Sequence, residues 1–296
     1  MVLNLKVKTK LEAFFASDFY LLLITAICIL FWVINQTIAG LAIFAVLMLL
    51  MSLTCKNMNG ALAILGGFMY LIADQRAMTA QPNITILVVS VVIMCASVLV
   101  FYVKNRVKLR FSPALIGFGL LLFAGIFGGI TEGHFGSTGW LIGVGICLAL
   151  GAVFFIASNA ISFDAKFFAN IFVCVAIVVL VQTWIYLFRQ DDFMRAIMGK
   201  AWATGWGNSS NDNARILTMC LPFVLFSASK TKLSFLHIGL FFALLFTILF
   251  TMSRGNVLII AIFTVPLLIY GLIISKHKAL FLIYLAVWIA VAVALF

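Results

Sequence analysis

Charge is what this sequence has least of. Only 9% of its 296 residues are charged, against about 25% in a soluble domain. Acids are rarer still, 8 against 19 lysines and arginines. With 66% of the chain hydrophobic, there is too little polar sequence to coat a soluble globule, and that class is excluded. Histidine is nearly absent, with three residues, and no Cys-x-x-Cys pair occurs. Cys28, Cys95, Cys147, Cys174 and Cys220 lie inside apolar runs and Cys55 at the edge of one. They read as small buried hydrophobes, not as a disulfide framework or a metal site. The first apolar run follows Lys6, Lys8 and Lys10 without a small-residue cleavage site, which predicts a retained anchor instead of a signal peptide.

What the chain does have is a succession of apolar segments, near 19–34, 39–54, 61–73, 84–103, 112–130, 138–157, 168–188, 214–228, 234–252, 256–274 and 279–296. A membrane-spanning helix needs about 20 apolar residues, or as few as about 17. The expected fold is therefore all-α, a polytopic transmembrane bundle of about ten to eleven helices, forming one domain over residues 1–296. Segment 61–73 is short and contains glycine, so a re-entrant loop also suits it. Pro222 and Pro266 sit within segments and predict kinks. The last segment reaches Phe296 without a polar closure, so the chain is expected to continue into a large loop and further helices.

The net charge of +11 does not indicate nucleic acid, because the cations stand a few at a time between apolar runs. Alternate breaks hold Lys6, Lys8, Lys10, Lys56, Lys104, Arg106, Lys108, Arg110, Lys166, Lys230, Lys232, Lys276 and Lys278. The other breaks hold only Arg76, Arg189, Arg195, Lys200, Arg215 and Arg254. The positive-inside rule then predicts a cytoplasmic N-terminus and a multi-pass topology facing anionic lipid.

One outer break differs from the rest. Residues 189–213 are the longest polar stretch, and long loops tend to carry function. A short interfacial helix is expected near Phe193–Lys200. The stretch ends in Gly205-Trp206-Gly207-Asn208-Ser209-Ser210-Asn211-Asp212-Asn213-Ala214-Arg215, where Asn and Asp suit the cap of a helix beginning near 214. Free N–H groups there, with Arg215 in the first turn, suit an anion. An ordinary cap with Arg215 snorkelling to headgroups suits the same residues. The next helix is followed by Thr251-Met252-Ser253-Arg254-Gly255-Asn256. An arginine so near hydrocarbon is costly, about 2.5–3.5 kcal/mol at a helix centre, and needs a partner; a purely interfacial arginine is the plainer alternative. Arg215 and Arg254, with Arg189 or Arg195, fall on one face and can converge on one anion. The guanidinium fork binds two oxygens at once, as a pyrophosphate offers. His134, beside Glu132, stands on that face as a candidate acid or base.

The Asn-x-Asn stretch entering a helix, followed after the next helix by Thr-x-Ser-Arg-Gly, resembles the O-antigen ligase and O-antigen polymerase superfamily. The matching residues are Asn211, Asn213, Arg215, Ser253, Arg254 and Gly255, and the motifs cover about 205–275. The resemblance implies a glycosyltransferase of the bacterial inner membrane, acting in lipopolysaccharide or polysaccharide biosynthesis without a cofactor. It would transfer a glycan from an undecaprenyl-pyrophosphate carrier, on the periplasmic face, to lipid A-core or a growing polysaccharide. Arg254 and Arg215 would be the catalytic residues, stabilising the departing pyrophosphate. Asn211, Asn213, Ser253, Arg189 and Arg195 would be substrate-binding. The family also carries a large periplasmic loop with a histidine, which this sequence does not contain, and this leaves the activity of the chain by itself open. Two alternatives stay open: a polymerase of the same superfamily, and a small-anion transporter of the bicarbonate type. A membrane scaffold without chemistry is a third.

Overall fold

The computed structural model describes residues 5–72, 84–108, 113–133, 135, 140, 144, 151, 154–155, 158–159, 162, 164–189, 191–192, 210–231, 234–251 and 254–295. Among these the fold is all-α, as expected, with eleven helices and no strand. They are α1 (Leu5–Phe15), α2 (Asp18–Val33), α3 (Thr37–Thr54), α4 (Asn59–Ile72), α5 (Ile84–Asn105), α6 (Pro113–Thr131), α7 (Ala165–Phe188), α8 (Ser210–Lys230), α9 (Ser234–Phe250), α10 (Arg254–Ile274) and α11 (Lys278–Leu295). Two of them, α3 and α7, are long and apolar enough to cross a membrane, with mean hydropathy 2.3 and 2.5.

Boundaries follow local chemistry. Ser17 caps α2 by accepting the Tyr20 N–H at 3.2 Å. The Asp164 carboxylate caps α7 by accepting from the Lys166 and Phe167 N–H groups. Each satisfies donors that the first turn leaves unpaired. Residues 59–72 form a helix of 14 residues, in line with the segment expected near 61–73, and two elements depart from the sequence expectation. The basic N-terminal stretch is helical as α1, where mixed charge had hidden any apolar run. And α8 begins at Ser210, not near 214, so Asn211, Asp212 and Asn213 are helical residues and not its cap, and Arg215 lies in the second turn. The expected helix at 138–157 falls largely outside the described residues, and the one near Phe193–Lys200 wholly so.

The chain divides into two compact units. The first comprises Met1–Ala16, Ala45–Leu65 and Val89–Phe163. Within it, the Lys104 ammonium donates to the carbonyls of Ser52 and Leu53 at 3.1 and 2.6 Å, closing the last turn of α3. The Glu12 carboxylate accepts the Lys56 N–H at 2.7 Å, and Asn59 and Ser162 bond to each other.

The second unit, Ser17–Phe44, Gly66–Val88 and Asp164–Phe296, holds the larger core. Its centre is the triad α7, α8 and α9, with α2 on α7, α10 on α8 and α9, and α11 on α9 and α10. The buried stripe of α8 runs Ala214, Leu217, Leu221, Val224, Leu225 and Ala228, the spacing of one helical face. Phe172 of α7 stacks on Phe223 of α8, ring centroids 4.1 Å apart. Gly271 of α10 lets two neighbours close in: a Cβ there would stand 2.8 Å from the ring of buried Phe281 and 3.3 Å from Leu225. Cys28, Cys55 and Cys220 are buried, as expected, whereas Cys95 is exposed.

Candidate functional site

Contacts along the helices fix their relative heights. Ser227 Oγ donates to Asn170 Oδ1 at 2.8 Å, and Phe223 stacks on Phe172. The C-terminal part of α8 thus lies beside the start of α7, and the two run antiparallel. Carrying that register along the pair brings Gln182 and Thr183 level with Asn213. Trp184 Nε1 donates to Thr247 Oγ1 at 2.9 Å, which places the last turns of α9 at the same height. The end of α8 at Ser210 is therefore shared by the end of α7 and the end of α9.

A layer of neutral polar side chains is buried there. Gln182 and Thr183 of α7, Asn213 of α8, Thr247 of α9 and Thr251 just beyond it are all 0% exposed. Thr183, Thr247 and Thr251 hydroxyls donate back to carbonyls of their own helices, at 2.7, 2.8 and 2.6 Å. Thr247 then receives the Trp184 indole as well, so one hydroxyl ties two helices together. Polar residues packed inside such apolar helices are costly unless bonded.

The sequence motif is split by this geometry. Successive residues turn by about 100° on a helix, so Asn211 and Arg215 share one side of α8 while Asn213 is nearly opposite. Asn211 and Arg215 are exposed; Asn213 is fully buried in the polar layer. The side of Asn211 continues into Thr218 and Pro222, which face Phe263, Thr264 and Leu267 of α10 across an apolar cavity of about 180 Å³. Helices α8 and α10 run parallel, with 218–222 opposite 263–267. At 1.5 Å per residue, the Arg254 backbone stands roughly 10 Å, two turns, beyond that of Arg215. Both arginines belong to the same end of the unit, with Arg254 opening α10. Arg189 is exposed at the C-cap of α7, also at this end. Ser253, Arg195 and His134 lie outside the described residues.

No protein family, characterised protein or solved structure matches the chain. The candidate site therefore stands on its geometry and on its residues.

Sequence reasoning missed the buried layer on α7 and α9. The available signal was Gln182-Thr183-Trp184, a polar interruption within an otherwise apolar run, and averaged hydropathy conceals it. A second group was missed at the far end of the same helices. Asn170 Nδ2 donates to Asp18 Oδ1 at 2.8 Å, Ser227 donates to Asn170, and Lys166 Nζ lies 3.7 Å from Asp18 Oδ2. Asn170 and Asp18 alone are separated by 152 positions, and no local pattern joins the group. Among the described residues no group of His, Cys, Asp or Glu is arranged to hold a metal ion.

Proposed function

We propose that the chain is a multi-pass membrane glycosyltransferase of the O-antigen ligase or polymerase type, with undecaprenyl-pyrophosphate-linked glycan as donor. The carrying observation is that Arg189, Arg215 and Arg254 belong to one end of the helix assembly, around a buried neutral polar layer. Apolar side chains exposed along α6 and α10, such as Leu120, Phe123, Phe127, Ile262, Phe263 and Ile269, support the bundle within a bilayer. The cation asymmetry of the sequence supports placing the arginine end on the periplasmic face.

In this reading an acceptor hydroxyl attacks the anomeric carbon and gives up its proton to solvent water, and the bond from that carbon to the pyrophosphate oxygen breaks. The arginines hold the departing anion, whose charge grows as the bond opens. Asn211 shares a face with Arg215 and serves the donor. Asn213 acts from inside the polar layer, positioning the head of α8.

Arg254→Ala is expected to lower glycan transfer at least ~100-fold, as for loss of a transition-state anion partner. Arg254→Lys stays impaired, because an ammonium lacks the guanidinium fork. The measurement is glycan attachment in cells lacking their own ligase, read as a banding shift on a gel at matched protein level. Near-normal transfer by Arg254→Ala would sink the assignment.

A further inference from the structure

A cavity of about 400 Å³ opens at the other end of the second unit, where α2, α7 and α9 begin and α8 has just ended. Its polar groups are Asp18, Lys166, Asn170, Thr231 and His237; the remaining walls, apart from Cys174, are aliphatic. The charged pair is opposite in sign, 3.7 Å apart, and half open to solvent. Asn170 fixes Asp18 from one side and is itself held by Ser227. Two of the aliphatic wall residues, Leu22 and Leu236, are 57% and 55% exposed, so the wall continues onto the outer apolar surface. A ligand complementary to this arrangement carries an ammonium, a phosphate and a hydrocarbon chain.

We infer that the cavity binds a zwitterionic aminophospholipid of the phosphatidylethanolamine class. The lipid ammonium donates to the Asp18 carboxylate, the phosphate meets Lys166, and an acyl chain lies along Leu22 and Leu236. This rests on the multi-pass reading above, which puts these helix ends at the headgroup layer. A primary ammonium is selected because it donates hydrogen bonds to a carboxylate, and a quaternary ammonium has no N–H to give. An anionic headgroup without an amine would leave Asp18 facing a like charge.

The test has two stages. Membranes carrying the full chain are first extracted with alkaline carbonate; release of the chain would overturn the multi-pass reading, and the lipid assignment with it. A chain that stays in the membrane is purified in mild detergent. Its retained lipid is weighed by native mass spectrometry against equal amounts of phosphatidylethanolamine, phosphatidylcholine and phosphatidylglycerol of identical acyl chains. Phosphatidylethanolamine is expected about tenfold above each of the others. Asp18→Asn keeps an oxygen for Asn170 and brings phosphatidylethanolamine down to the level of phosphatidylcholine. Lys166→Met lowers both alike, and Leu240→Trp, filling the cavity, lowers all three. Equal retention of phosphatidylethanolamine and phosphatidylcholine by the unaltered chain, or phosphatidylglycerol above both, overturns the lipid assignment alone. So does an unchanged preference in Asp18→Asn.

Discussion

At the Ser210 end of α8 the buried polar groups are neutral and lie deep, and Arg189 and Arg215 are exposed beside them. At the Lys230 end the order differs: charges of both signs are half exposed, and a single amide, Asn170, links them to the helix core. The same helices, α7, α8 and α9, therefore carry two kinds of polar chemistry. A buried amide or hydroxyl without charge keeps its cost within the reach of a few hydrogen bonds, whereas a buried ion does not. The charges at the far end avoid that cost by staying at the surface, where an ion pair contributes little to stability. The first arrangement fixes helix positions, and the second leaves its charges available to a ligand.

The largest effect that could break this contrast is a charge inside the first end. Asn213→Asp places a carboxylate where exposure is 0%, and about 3–5 kcal/mol of stability should be lost at neutral pH, as for an uncompensated buried ion. The measurement is the unfolding midpoint in detergent, with Asn213→Leu, of similar size, as the control. The leucine variant should insert and lose less, about 1–3 kcal/mol, because it takes one polar group out of the layer without adding a charge. A tolerated aspartate would mean the layer is wet and the contrast false.

The second effect belongs to the far end. Asn170→Ala removes two hydrogen bonds and leaves Asp18 and Ser227 each short of a partner, so a loss of about 2 kcal/mol is expected. Glycan transfer per folded molecule should be unchanged, since the arginine end is not touched. Transfer falling in proportion to an arginine variant would show that the two ends are not separate in function.

The smallest effect sharpens the picture within the layer. Trp184→Phe removes the bond to Thr247, worth about 1 kcal/mol, together with part of the indole packing on Phe188 and Phe250. Thr247→Val in the same background should add little, because the bond is already gone. A double-mutant cycle measures that coupling, and independent, additive losses would show that the indole does not fix α9 to α7.

The helices were largely legible because apolar runs state their own length: α2, α7, α9 and α11 lie within about three residues of their expected bounds. What stayed hidden had two physical causes. Asn211, Asp212 and Asn213 favour caps in isolation, but packing against α7 and α9 carried α8 back to Ser210, and local preference lost. The second cause is distance along the chain. Arg215 was visible as a lone cation before an apolar run, whereas the Asp18–Asn170–Ser227 chain exists only once three helix ends are together. Thr247 was unreadable for a different reason, since a single hydroxyl hardly alters the hydropathy of the run around it.

Pro222 sits midway along α8 and has no N–H, so the carbonyl of Thr218 loses its donor four residues on. The missing bond makes Pro222 the point at which α8 bends most readily, beside the small cavity that Thr218 and Pro222 line. Under the proposed function, tilting of the Ser210 segment on a bulky glycan carrier would be taken up as bending at Pro222. The Ser227–Asn170 bond beyond it is spared that torque, and the two ends of one helix can answer to different molecules at the same time.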